Sequence, residues 1–120
     1  QDLIDSVNKA GGVAIAAHPF RDNGRGVGEE IRNLIGLAGI ETFNGSTKSD
    51  HNFQAYSLSL EVDLPCLGGS DTHVIDRVGK FVTSFPDWVS TTKDLIKAVK
   101  NNEVMPVNYN YKDRSKNNKL

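Results

Sequence analysis

The residues best suited to chemistry in this chain are Asp71 and His73, which lie two positions apart in the segment Gly-Ser-Asp-Thr-His. The short apolar run Leu-Pro-Cys-Leu at 64–67 precedes this segment, and we interpret it as a strand. Residues two apart in an extended chain point to the same side. A carboxylate and an imidazole that converge on one point suit zinc, manganese or iron. The segment therefore predicts a metal site at the carboxyl end of a strand.

A second histidine has the same kind of position. The apolar run Ala-Ile-Ala-Ala at 14–17 ends in His18 and Pro19, so His18 also follows a predicted strand. Each residue has a simpler alternative role. His18 could be a strand-end histidine bonded to backbone, and Asp71 could cap a turn that also contains His73.

Apolar spacing predicts the elements that would position these side chains. The predicted helices cover residues 2–10, 29–38, 50–62 and 91–101, the last of them opened by a capping box of Thr91 and Asp94. The predicted strands cover residues 13–17, 40–43, 64–68, 80–85 and 104–107. This alternation favours an α/β fold, a parallel sheet with crossover helices. The polar tail, 108–120, is rich in Asn and Lys, and we expect it to be disordered.

Parallel sheets of this kind carry their functional groups at the carboxyl ends of the strands. Glu41 and Asn44 lie in and just after the second predicted strand, as His18 and Asp71 follow the first and third. A carboxylate inside a strand is costly to bury unless it is paired. Glu41 therefore either pairs with a lysine or arginine or faces a pocket.

Composition limits the class of protein. The chain has 120 residues and a net charge of −1, so charge gives no reason to expect non-specific nucleic-acid binding. No apolar stretch approaches the roughly 20 residues of a membrane span. Cys66 is the one cysteine, and a single thiol cannot form an internal disulfide, which favours a cytoplasmic location.

Four motifs in order resemble a known family. They are Ala-His-Pro-Phe-Arg at 17–21, Gly-Ile-Glu-Thr-Phe-Asn-Gly at 39–45, Gly-Gly-Ser-Asp-Thr-His at 68–73 and Gly-Lys-Phe-Val-Thr at 79–83. Together they resemble the carboxyl-terminal half of PHP-domain (polymerase and histidinol phosphatase) proteins, including the PHP-associated segment, over residues 1–107. The resemblance implies part of a seven-stranded, distorted β/α barrel and a hydrolase, a metal-dependent phosphoesterase.

The resemblance also assigns roles to residues. It implies that His18, Asp71 and His73 are metal ligands for zinc, manganese or iron. Glu41 and Asn44 match a motif that lines the pocket. Arg21 follows the His-Pro motif, where a planar guanidinium suits two phosphate oxygens. The implied substrate is a phosphorylated small molecule or a nucleotide, and no catalytic acid or base is assigned.

The chain departs from the family pattern in its histidines. PHP-domain proteins have an amino-terminal His-x-His pair, but this chain has 3 histidines, His18, His51 and His73, and no two are separated by one residue. We expect a fragment that lacks the amino-terminal half of the protein, binds metal incompletely and has little or no activity alone. His51 we expect at the surface. The alternative is a non-catalytic binding or homo-oligomerisation module with vestigial metal ligands.

Overall fold

A computed structural model describes residues 1–109 of the chain. Its helices are α1 Asp2–Lys9, α2 Ser49–Glu61 and α3 Thr92–Lys100, with short 3-10 helices at Gly28–Asn33 and Ile75–Arg77. Its strands are β1 Ile15–Ala16, β2 Gly39–Asn44, β3 Cys66–Gly69, β4 Phe81–Ser84 and β5 Met105–Asn108. Within this part of the chain, no helix is long and apolar enough to cross a membrane. The tail predicted to be disordered covers residues 108–120. Its first residue, Asn108, is the last residue of β5, and residues 110–120 lie outside the described part.

The centre of the fold is a three-stranded parallel sheet in the order β1-β2-β3. Ile40 is fully buried in the central strand, where its neighbour across β3 is Cys66. The register of β2 against β3 shifts between Glu41 and Phe43, as in a β-bulge. A bulge bends a strand and redirects its side chains, so the carboxyl end of β2 is locally irregular. The predicted α/β class and its parallel sheet are confirmed.

Helix α2 is the crossover between β2 and β3, and it covers one face of the sheet. Its Ala55 and Leu58 are almost fully buried, and both belong to the core cluster that contains Ile40. Ala16 of β1 and Ile31 of the first 3-10 helix complete this cluster. Burial of these apolar side chains is the main source of stability for the sheet edge that carries the predicted site.

The predicted parallel arrangement is wrong for the last two strands. β4 and β5 form a separate antiparallel pair in which Ser84 lies opposite Met105. A helix between two strands usually implies that they are parallel. Here the connection that contains α3 starts at the end of β4 and returns to β5 at the same end of the pair, so the two strands are antiparallel. The alternation of strands and helices in the sequence does not distinguish this arrangement from a parallel one. The strands of residues 1–109 form no closed barrel, so the predicted partial seven-stranded barrel is not confirmed.

The predicted helix at 29–38 is also wrong beyond its first turns, because only the 3-10 helix Gly28–Asn33 forms. The following residues bond to α1 and its cap instead. The Gln1 side chain accepts from the Ile35 N–H at 3.0 Å and donates to the Ile35 carbonyl at 2.9 Å. Asn8 donates to the Gly36 carbonyl at 2.9 Å, and Gly36 has a φ of 82°, which glycine adopts without strain. Tertiary hydrogen bonds thus replace helical ones.

Candidate functional site

The carboxyl ends of the three parallel strands meet at one edge of the sheet, and predicted site residues follow each of them. His18 lies two residues after β1, Asn44 ends β2 and Asp71 lies two residues after β3. Two contacts join the second and third of these ends. The Gly45 N–H donates to the Gly69 carbonyl at 2.9 Å, and the Ser46 hydroxyl donates to the Asp71 carbonyl at 2.7 Å.

His18 has an unusual backbone and an unpartnered ring atom. Its φ is 30°, in the left-handed region that a residue with a Cβ rarely adopts. Its backbone N–H donates to the Glu41 carboxylate at 2.8 Å. Its Nδ1 is buried and makes no hydrogen bond to any part of residues 1–109. A buried polar atom without a partner is uncommon and indicates a ligand, an ion or a water.

Within residues 1–109, the Glu41 carboxylate pairs with two N–H donors rather than with a lysine or arginine. Its Oε2 accepts from the His18 backbone and from the Asn44 amide, the latter at 3.0 Å. Its Oε1 lies against Gly69, where an added Cβ would come within 2.2 Å of that oxygen. Gly69 therefore leaves the space that the carboxylate occupies, and Glu41 sits between the ends of β1 and β3.

Asn44 is fully buried, and hydrogen bonds hold both ends of its amide. Its Nδ2 donates to Glu41, while its Oδ1 accepts from the Ser46 N–H at 2.9 Å and from the Thr47 hydroxyl at 3.0 Å. Its backbone N–H donates to Asn52 of α2 at 3.1 Å. With its amide engaged at both ends, Asn44 can orient Glu41 and the loop after β2 but is poorly placed to bind a substrate.

Asp71 and Arg21 form an ion pair across the site. Asp71 has a φ of 45°, and its carboxylate accepts from the guanidinium of Arg21. His73 is exposed, and its Nδ1 lies 3.2 Å from the Asp71 carbonyl. The structure therefore brings Arg21 to Asp71, holds Glu41 against the backbone of His18, and leaves the His73 ring on the surface.

A small cleft of about 120 Å³ adjoins Arg21. Ser46, Lys48 and His51 also line it, and the Lys48 ammonium lies 3.9 Å from the Asp22 carboxylate. Half-buried His51 and the Ser46 hydroxyl are cleft residues that sequence reasoning missed. For Ser46 a signal existed, since it directly follows the 39–45 motif.

The predicted metal ligands do not form a complete metal-binding site within residues 1–109. Among residues 1–109, no group of three or more His, Cys, Asp or Glu side chains is arranged to hold a metal ion. The unpartnered Nδ1 of His18 fits a ligand role, and nitrogen with carboxylate oxygen suits zinc or manganese. Asp71 would have to release Arg21 to bind a cation through the oxygen that Arg21 now holds. The assignment of His18, Asp71 and His73 stays a prediction.

A larger cavity of about 450 Å³ lies away from this site. It opens near the amino-terminal ends of β3 and β5, and its walls are mainly apolar. They include Phe43, Tyr56, Leu60, Cys66 and Met105. None of the predicted ligands lines this cavity, so it does not extend the candidate site.

The comparison with protein families found a match over part of the chain. Residues 49–104 match the family model described as PHP-associated. The match runs from the first residue of α2 to the residue before β5 and includes Asp71 and His73, but it does not reach His18, Arg21 or Glu41. The searches of curated proteins and of solved structures gave no significant match.

Proposed function

We propose that the chain supplies part of a metal-dependent phosphoesterase site, on the premise that residues 49–104 match the PHP-associated family model. One observation supports this most. Residues predicted from three separate motifs lie together at the carboxyl edge of a parallel sheet, where the buried Nδ1 of His18 has no partner within residues 1–109. Such an edge is where sheets of this kind carry their active sites.

Each residue of the site has a role in this proposal. His18 would bind a divalent metal ion through its Nδ1, with Asp71 and His73 as further ligands. The metal ions, when bound, would polarise a phosphoryl oxygen and activate water at neutral pH. Arg21 would leave Asp71 and bind two oxygens of the substrate phosphate, for which its guanidinium is well shaped. The cleft beside Arg21 is of a size to admit a phosphate group.

The isolated chain is proposed to have little or no phosphatase activity. Hydrolysis with two metal ions needs more ligands than His18, Asp71 and His73 provide. The remaining ligands would come from residues outside the present sequence. A phosphatase assay of the chain with added Mn²⁺ or Zn²⁺ tests this point, and robust turnover would contradict it.

Calorimetric titration with Zn²⁺ and Mn²⁺ tests the metal site itself. We expect His18→Ala and Asp71→Asn each to weaken binding by about tenfold or more, since even residues outside the ligand shell change metal affinity by that factor. His51→Ala is the matched control, because His51 lines the neighbouring cleft and is not a proposed ligand. The absence of binding by the unaltered chain, or equal binding by all variants, would refute the proposal.

A second candidate function is homo-oligomerisation through α2. Phe53 and Leu60 are 60% and 63% exposed on this helix, and Met105 near the large cavity is 60% exposed. Large apolar side chains grouped on one surface favour association. Light scattering separates this candidate from the first, because a chain that forms oligomers but binds no metal would favour an assembly module.

A further inference from the structure

We propose that Glu41 is a positioning residue, whose carboxylate fixes the backbone of His18 so that the buried Nδ1 is available to a divalent cation. The cation in this statement rests on the proposed function. The positioning of His18 is a property of the metal-free chain and can be measured without metal.

The first step of the argument is the backbone of His18. A φ of 30° is unfavourable for a residue with a Cβ and persists only where its surroundings hold it. The Glu41 carboxylate, 23 residues away in sequence, accepts the His18 N–H at 2.8 Å. A hydrogen bond to an ionised acceptor is stronger than one between neutral groups. This bond therefore holds His18 in its left-handed conformation.

The second step is the rigidity of Glu41 itself. The Asn44 amide donates to the same Oε2 at 3.0 Å, and Asn44 is in turn held by Ser46 and Thr47. The other oxygen, Oε1, occupies the space above Gly69. Contacts with β2 and β3 thus fix the Glu41 carboxylate. Through its hydrogen bond with the His18 N–H, the carboxylate in turn fixes the backbone of His18 after β1.

The third step concerns the ring of His18. His18 bonds to the Glu41 carboxylate through its backbone N–H, so this bond does not occupy the imidazole. The ring nitrogen that stays buried without a hydrogen bond inside residues 1–109 is therefore available for a ligand. Loss of Glu41 would let His18 relax toward ordinary backbone angles and move this nitrogen from its place.

The test uses the full chain, three variants of the site and one control variant. Glu41→Ala removes the acceptor, while Glu41→Gln keeps an oxygen for the His18 N–H and is the conservative rescue. Gly69→Ala keeps the glutamate at position 41 but adds a Cβ that would displace its carboxylate, since the Cβ would come within 2.2 Å of Oε1. Glu30→Ala is the matched control, since the exposed Glu30 carboxylate accepts only from the Asn33 amide within residues 1–109 and lies outside the site.

The metal-free readout is the His18 amide in NMR spectra. We expect its proton signal to move upfield, and its hydrogen exchange to speed up by about tenfold or more, in Glu41→Ala and Gly69→Ala. Glu41→Gln should restore most of the change and Glu30→Ala should cause none. An unchanged His18 amide in folded Glu41→Ala and Gly69→Ala would overturn the inference.

The second readout is Zn²⁺ affinity by competition with a chelator. We expect Glu41→Ala and Gly69→Ala to weaken binding by about tenfold and Glu41→Gln by much less. If the unaltered chain binds Zn²⁺ and folded Glu41→Ala binds it equally well, the inference fails and the proposed function stands. If no form binds Zn²⁺ while the His18 amide still responds, the proposed function fails and the hold of Glu41 on His18 stands.

Discussion

Arg21 and Asp71, which are 50 positions apart in sequence, form an ion pair at the edge of the sheet. The two side chains are only 26% and 23% exposed. The pair joins the residue proposed to bind phosphate to a residue proposed to bind metal. A carboxylate oxygen that accepts from a guanidinium is not free for a cation, so Arg21 and a metal ion would compete for Asp71.

Removal of Arg21 should therefore strengthen metal binding. A partly exposed ion pair contributes about 0.5–1 kcal/mol, so we expect Arg21→Met to raise Zn²⁺ or Mn²⁺ affinity by about two- to fivefold in calorimetric titration. Arg25→Met is the control, since exposed Arg25 has no ion pair among residues 1–109. Equal or weaker binding by Arg21→Met would show that Arg21 supports the site rather than competing for Asp71.

Two adjacent glycines should respond very differently to alanine. A Cβ at Gly68 would lie 2.6 Å from the Val82 carbonyl oxygen, which belongs to the backbone of β4. The pair β4–β5 would have to move away from β3, and we expect Gly68→Ala to lower the free energy of unfolding by about 1–3 kcal/mol. At Gly69 the Cβ meets only the Glu41 side chain, so Gly69→Ala displaces a carboxylate and its two hydrogen bonds but no backbone.

Urea unfolding of the two variants measures this difference. We expect Gly69→Ala to lose less than half as much stability as Gly68→Ala, because moving one side chain with its two hydrogen bonds costs less than moving a pair of strands. Equal losses would mean that β4–β5 adjusts to Gly68→Ala without cost.

The start of α3 depends on a capping box. The Thr91 hydroxyl accepts from the Asp94 N–H at 3.1 Å, and the Asp94 carboxylate accepts from the Thr91 N–H at 3.0 Å. Thr91→Ala should lower the free energy of unfolding by about 1 kcal/mol in urea, while Thr91→Ser should keep most of it because it retains the hydroxyl. A loss of equal size in both variants would point to the methyl group instead.

The same box predicts a pH dependence. The Ser90 N–H donates to the Asp94 carboxylate and is the main cause of its lowered pKa. Hydrogen bonds from Thr91 add to the effect, so the pKa lies below the ordinary value of 3.8. The folded state thus favours the ionised form, and its contribution to stability is present above about pH 4. As the pH falls from 3.8 toward the lowered pKa, this contribution disappears.

Acid titration of stability in the unaltered chain and in Asp94→Asn checks the sign. The difference in free energy of unfolding between the two should shrink as the pH falls below about 4. A difference that is constant down to pH 2 would show that the charge of Asp94 has no part in the cap.

Local signals in the sequence were enough for some elements and not for others. Helix α3 and its capping box were predicted because Thr91, Asp94 and the apolar spacing after them are close in sequence. Residues 34–38 carry an equally helical pattern, yet hydrogen bonds from Gln1 and Asn8 hold them in another conformation. Contacts over such a distance in sequence leave no local signal.

The same distinction applies to the candidate site. The parallel topology predicted that the carboxyl ends of β1, β2 and β3 lie at one edge of the sheet, and they do. The assignment of His18, Asp71 and His73 as metal ligands stays a prediction, because they form no metal-binding group within residues 1–109. The contact of Glu41 with the backbone of His18 depends on the irregular register after Glu41 and on the space left by Gly69. The pair of Arg21 with Asp71 depends on loop positions that motifs do not specify.

Oligomerisation through α2 makes a separate prediction. Phe53 and Leu60 lie seven residues apart on one face of the helix and are 60% and 63% exposed. Phe53 also packs edge-on against Phe43, with ring centroids 5.9 Å apart, so it is held in place rather than free to fold back. A fixed apolar surface of this kind favours a second copy of the chain.

Light scattering over a range of concentrations measures this association. If α2 mediates it, the mass of the unaltered chain should rise above 13.1 kDa with concentration, while Phe53→Ser combined with Leu60→Ser should stay at the monomer mass. Leu3→Ser is the matched control, because Leu3 is 76% exposed but lies on α1. A constant monomer mass for the unaltered chain would rule out α2 as a self-association surface and leave the partial phosphoesterase site as the better account of the chain.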